Sequence, residues 1–237
     1  MRGCLVTLAL LVTVAVLAVW FLLPPLVGTL AQGALAAAGF QAATTTVTVT
    51  ADPPPKLLGL TADAIRIRAS NARYRGLEAV DVDVTLDDVR LIDRTFGGLS
   101  GTLAFVSLPG AGGSPRVTIP EVALSGDAER VRATLTFPAA TAEELASSAL
   151  ERATGITPTK VVLSAPDRVR IEGRGLVLNG RLVVRSDGAL LLVPPAQGDL
   201  GSITLVAPGP DVPLRIDSFR IVDGGLVLVA TLDPAAG

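Results

Sequence analysis

Residues 214–233 read LRIDSFRIVDGGLVLVATLD, two runs joined by Asp223-Gly224-Gly225. A Gly-rich step of this kind between apolar runs is a hairpin signal. The first run mixes apolar and charged residues. The second, Gly225 to Leu232, is apolar at nearly every position. Partners in a hairpin share an environment, so a covering body is expected over the second strand where the first tolerates Arg215 and Asp217. Leu214 and Ile216 share one parity while Phe219 and Ile221 share the other, which predicts a bulge near Ser218. A bulge bends its strand. The cover over Leu226 to Leu232 is therefore expected inside a curved sheet, and it is either a helix or an apolar ligand.

Period-two alternation runs through most of the chain. Ala64 to Arg68, Val80 to Asp87, and Val131 to Phe137 each put apolar residues on one face and charged or hydroxyl residues on the other. This is the signature of antiparallel strands with one wet face. Thr44 to Thr50, Leu103 to Ser107, Arg116 to Ile119, Lys160 to Leu163, Arg168 to Glu172, Leu176 to Leu178, Arg181 to Arg185 and Ala189 to Val193 read as further strands. Pro109-Gly110, Asn179-Gly180 and Asp187-Gly188 read as the turns between them. One helix interrupts the series, with Thr141-Ala142-Glu143-Glu144 as a capping box and Leu145, Ala146, Ala149, Leu150 and Ala153 as an apolar stripe ending at Gly155. About ten strands and two helices without regular alternation give an α+β class built on a large antiparallel sheet.

The first residues have a different character. Leu5 to Leu23 is a run of nineteen uncharged residues, which as a helix would span roughly 28 Å, close to the thickness of a bilayer's hydrocarbon. It is longer than the apolar region of a cleaved signal peptide, and the best small-residue site, Thr29-Leu30-Ala31, lies well downstream. The expected organisation is an N-terminal anchor or uncleaved signal over residues 1–24, a juxtamembrane helix over 25–39, and an exported domain over 40–237. The amino terminus and Arg2 stay inside a single-pass cytoplasmic membrane protein, and the domain lies outside the cytoplasm. Of 237 residues one is Cys, Cys4, so the exported part holds no disulfide.

Composition removes several function classes. With no His, the usual general base, the Ser-His and Cys-His pairs and the commonest transition-metal ligand are missing. A formal charge of −2 without a basic tail argues against nucleic acid as a partner. Gly173-Arg174-Gly175 lacks the third glycine of a dinucleotide fingerprint and reads as a turn. Asp81, Asp83, Asp87, Asp88 and Asp93 offer oxygens to a hard cation. Three of them fall at alternate positions of one strand with Thr85, and they read as a solvated sheet face. Arginines 66, 68, 73, 75, 168, 170, 174, 181 and 185 suit phosphate oxygens, but each can also pair with a carboxylate across the sheet. No enzyme activity, cofactor or metal is expected.

Taken in order, the chain shows an N-terminal apolar segment, an Ala-rich helix, Pro55-Lys56-Leu57-Leu58 and the strand run from Val80 to Leu91. The helix from Thr141 follows, and the chain closes with Val212-Pro213-Leu214-Arg215-Ile216-Asp217 and Asp223-Gly224-Gly225-Leu226-Val227-Leu228. This order resembles the LmeA-like phospholipid-binding proteins of actinobacterial cell envelopes. The resemblance implies an elongated, curved antiparallel sheet wrapped around one or two helices, as in tubular lipid-binding proteins, and a non-catalytic role in binding phospholipid. Physical cost agrees with a need for such a protein. An acyl chain loses about 0.8 kcal/mol per CH₂ brought into water, so a carrier needs apolar surface, not reactive groups. The candidate lining residues are Leu135, Phe137, Leu145, Leu150, Leu190, Leu192, Leu226 and Leu228. The expectation is a membrane-tethered protein that binds or shuttles phospholipid or a related amphiphile; the alternative is an adaptor holding protein partners of envelope assembly through sheet edges.

Overall fold

β-Branched and aliphatic residues at alternate positions dictate strands, and the chain forms thirteen of them among the described residues, with two α-helices and one 3₁₀ turn. The structure is a computed structural model that describes residues 25–74, 76–93, 95–108, 117–173, 176–194, 201–206 and 214–232. The apolar run at 5–23 and the Pro109-Gly110 turn lie outside the described residues. Among the described residues, no helix is long and apolar enough to cross a membrane.

Helix α1 covers residues 25–37 and stops before Gly39, whose φ is +90°. There the Gly39 and Phe40 amides donate back to Ala36 and Leu35, closing the helix end. Next come β1 (Thr44–Thr50), the 3₁₀ turn Pro54–Gly59, β2 (Thr61–Tyr74), β3 (Leu77–Arg90), β4 (Gly98–Leu108), β5 (Val117–Gly126) and β6 (Val131–Phe137). Helix α2 (Ala139–Thr154) leads to β7 (Lys160–Ser164), β8 (Arg168–Gly173), β9 (Leu176–Val184), β10 (Leu190–Val193) and β11 (Ile203–Val206). The chain closes with β12 (Leu214–Val222) and β13 (Gly225–Leu232).

Two antiparallel sheets result, an eight-stranded one in the order β1-β2-β3-β4-β5-β6-β13-β12 and a five-stranded one in the order β11-β10-β9-β8-β7. The second is inserted between β6 and the final hairpin, which returns to the first sheet with β13 beside β6. The α+β class expected from the alternation is therefore present, with its strands divided between two sheets.

The hairpin of residues 214–232 is formed as its pattern requires. Asp223 and Gly224, at φ +48° and +76°, make a two-residue turn that pairs Val222 with Gly225, the geometry that needs positive φ at both positions. The register of β12 shifts between Ile216 and Ser218. That bulge changes the parity, so Ile216 faces Ala230 while Phe219 and Ile221 face Leu228 and Leu226. The cover over β13 is helix α2, whose buried residues Ala142, Leu145, Ala146, Ala149 and Leu150 pack against β13 and β6 on one side and β7 and β11 on the other. Leu226, Leu228 and Ala230 are buried as a consequence.

Two local expectations are corrected. The capping box at Thr141 does not form: α2 starts two residues earlier, at Ala139, with Pro138 as its cap and no side-chain cap bond. Thr141 consequently sits inside the first turn, where the Ala142 amide already has the Pro138 carbonyl at 2.9 Å. Asn179-Gly180 is not a turn but the middle of β9, paired with Arg170 and Val169. Its glycine answers a different need. A Cβ on Gly180 would lie 2.9 Å from Leu192 Cδ1 and 3.1 Å from the Val193 carbonyl oxygen, so the side chain is missing because β10 comes so close.

Candidate functional site

The eight residues expected to line an apolar site arrive from four parts of the fold. Leu135 and Phe137 come from β6, Leu226 and Leu228 from β13, Leu145 and Leu150 from α2, and Leu190 and Leu192 from β10 of the second sheet. All eight fall in one buried cluster, at 0 to 6 % exposure, together with Ile119, Val161, Val169, Ile171 and Ile221. Each is held inward by its element's own period: every second residue in the strands, and the 142, 145, 146, 149, 150 stripe on α2. Fully burying one such side chain contributes about 1.5–3 kcal/mol. Protein side chains from both sheets and the helix thus fill the interior of the cluster.

This interior reaches the surface at the C-terminal end of α2. Leu150 and Ile171, both members of the buried cluster, also line a small apolar cleft with Thr154, Ile156, Pro158, Gly173 and Leu178. Gly155 at φ +69° ends the helix here, its amide on the Glu151 carbonyl at 2.7 Å, and Thr154 Oγ1 donates to the Leu150 carbonyl. The cleft has room for about 20 Å³, roughly one water molecule.

Five of the arginines that could have met phosphate are used in ion pairs instead. Arg66 and Arg68 both donate to Asp83, which Arg66 approaches to 2.6 Å; Arg73 pairs with Glu78, Arg170 with Glu172, and Arg185 with Asp187. The Arg66 guanidinium first, and Arg68 beside it, hold the Asp83 carboxyl below its ordinary range. The side chain of Arg185 and then the Ala189 amide bring Asp187 down to about 2. Arg75 and Arg174 lie outside the described residues. Among the described residues no group of three or more metal-ligating side chains converges, and the Asp run of β3 belongs to the exposed sheet face.

One constellation escaped the sequence reading. Arg130, Arg132 and Arg215, with Asp217, Ser218, Val229 and Thr231, surround an open hollow of about 560 Å³ on the outer face of the eight-stranded sheet. Arg132 and Arg215 are 83 residues apart, and only the strand order β6-β13-β12 makes them neighbours across Thr231. The charge alternation was legible in each strand; the adjacency was not.

No family model matches the chain, and the searches of curated proteins and of solved structures gave no match.

Proposed function

We propose that the chain is a non-catalytic lipid-binding protein of the cell envelope, tethered by residues 1–24 and taking the acyl part of a phospholipid or related amphiphile into the apolar interior beneath α2. The observation that carries this reading is the single apolar cluster shared by two sheets and one helix, with its outlet between α2 and β8–β9. The LmeA-like resemblance in the order of elements supports the same function and the tubular, curved form of the sheet.

At about 20 Å³ the cleft admits no acyl chain at rest. Loading therefore requires the C-terminal half of α2 to move away from β8 and β9. In that half the buried face carries only Ala149 and Leu150, so the motion gives up less packing than a row of large side chains would impose. The seating of helix α1 supports this reading of the tether. A Cβ on Gly28 would lie 2.9 Å from the Val47 carbonyl oxygen, and Gln32 donates to the Thr45 carbonyl. Residue number rises along α1 as it falls along β1, so α1 begins at the sheet end that carries Pro54–Gly59.

The test is transfer of a fluorescent phospholipid between vesicles by the full chain reconstituted in the donor membrane. Leu178→Trp, which plugs the outlet, should lower the transfer rate at least fivefold while leaving the melting temperature within a few degrees. Transfer no faster than in protein-free vesicles would overturn the reading.

A further inference from the structure

We infer that the hollow between β6, β13 and β12 is a binding site for a phosphate-bearing anion. Three arginines meet there, and among the described residues none of them has a carboxylate within ion-pairing distance, in contrast to Arg66, Arg68, Arg73, Arg170 and Arg185. The only acidic side chain in the lining is Asp217, engaged by the Thr231 hydroxyl. The lining thus carries three positive charges against one negative. Guanidinium groups present planar forks of donors that match phosphate oxygens two at a time.

The backbone builds this site. Arg130 is set by a tight turn in which Asp127 Oδ1 accepts from the Glu129 and Arg130 amides, both at 2.9 Å. Asp127 is thereby occupied with its own turn. Gly126, at φ +139°, is required beneath it, because a Cβ there would lie 2.0 Å from the Arg130 carbonyl oxygen. On the other wall, Arg215 Nη2 donates to the Ser186 carbonyl at 3.0 Å. One donor of five is used, and the rest of the fork is left for a ligand. The bulge between Ile216 and Ser218 completes the lining. It turns Arg215, Asp217 and Ser218 toward the hollow, whereas an unbroken strand would send Ser218 to the core side. Arg132, Thr231 and Arg215 stand in one row on three adjacent strands, so the Cα atoms of the two arginines are about 10 Å apart, near enough for both long side chains to reach one anion.

The hollow lies on the opposite face of the sheet from the apolar interior, so it is independent of how acyl chains are held. Its ligand is a phosphate group, borne by either a lipid headgroup or a soluble phosphate ester. The test uses the full chain in micelles of an uncharged detergent. Inorganic phosphate, glycerol phosphate, and micelles doped with an anionic phospholipid are titrated in turn, read by the Nε–H resonances of Arg132 and Arg215. Saturable shifts are expected at these two, and Arg132→Gln with Arg215→Gln should weaken binding at least tenfold. Asp217→Asn, which removes the opposing charge, should tighten it about threefold. Arg168→Gln with Arg181→Gln, a facing pair on β8 and β9, should leave it unchanged. A response to doped micelles alone assigns the phosphate to a lipid headgroup; an equal response to glycerol phosphate assigns it to a soluble ester. Absence of saturation by all three probes, or equal loss on replacing Arg168 and Arg181, overturns the proposal. Leu178→Trp should not alter the titration, so failure of lipid transfer and failure of this site are separable.

Discussion

Gly188 shows how much of the assembly of this molecule rests on single positions. It sits at φ +85° in the β9–β10 turn, its carbonyl accepts from the Ile216 amide at 3.2 Å, and a Cβ there would lie 2.5 Å from Arg215 Cγ and 3.0 Å from Arg215 Cα. A turn of the second sheet is thus seated directly on β12 of the first. Gly188→Ala meets both an unfavourable φ and a backbone collision, and should cost about 1–3 kcal/mol, seen as a lower denaturant midpoint with an unchanged slope. Asp187, one residue earlier, makes a pH prediction. Its carboxyl is held at about 2, chiefly by the Arg185 side chain, below the ordinary value of roughly 3.9. A depressed carboxylate contributes stability that is fully present above its unfolded value and is lost as pH falls through the folded one. Melting temperature should therefore fall between about pH 4 and pH 2, and Asp187→Asn should flatten part of that slope. A slope identical in both proteins would show that the pair contributes nothing.

Among the elements, helix α2 and strand β9 mark what periodicity could and could not reveal. The apolar stripe of α2 was plain, since 145, 146, 149 and 150 recur at helical spacing, and so was its end at Gly155. Its start was hidden, because a Thr-x-x-Glu pattern at the right place competes with a backbone that can enter helix directly after Pro138. In β9 the Asn-Gly pair carries the chemistry of a turn, and only the approach of Leu192 and Val193 from β10 explains a glycine inside a strand. The bulge in β12 was legible because it reverses the parity of apolar residues, an imprint on the sequence itself. The stripe also gives the strongest element-level prediction. Leu150 touches both the buried cluster and its outlet, so Leu150→Ala should destabilise the fold by about 2–5 kcal/mol. Because the outlet widens, exchange of the amides at the C-terminal end of α2 should rise more than those of β13. Uniform loss of protection would show that α2 does not move separately.

On the scale of the whole molecule, alternation announced an antiparallel α+β protein but not its division into two sheets. Pattern records which face of a strand is dry, and the partner of each strand is decided by contacts far apart in sequence. The same reason kept Arg132 and Arg215 apart on paper. The long sheet nevertheless carries two separate apolar clusters: the large one under α2, and a smaller one of Val47, Val49, Ala51, Leu57, Ala62, Ile65 and Val89 on which Val27, Ala31 and Leu35 of α1 pack. Contiguous cooperative units follow such clusters, and the one with less buried surface opens first. The β1–β3 end should therefore open as a unit at lower free energy than the strands around β13, even though hydrogen bonds run unbroken from β1 to β12. Ile65→Ala removes a buried side chain from the small cluster and should lower the opening free energy of residues 44–74 by about 2–5 kcal/mol. Exchange at Leu226, Leu228 and Ala230 should be unaffected unless global unfolding is reached. Native-state hydrogen exchange read by mass spectrometry on the full chain measures both. An equal loss of protection at β1 and β13 would mean that the eight strands open as a single unit.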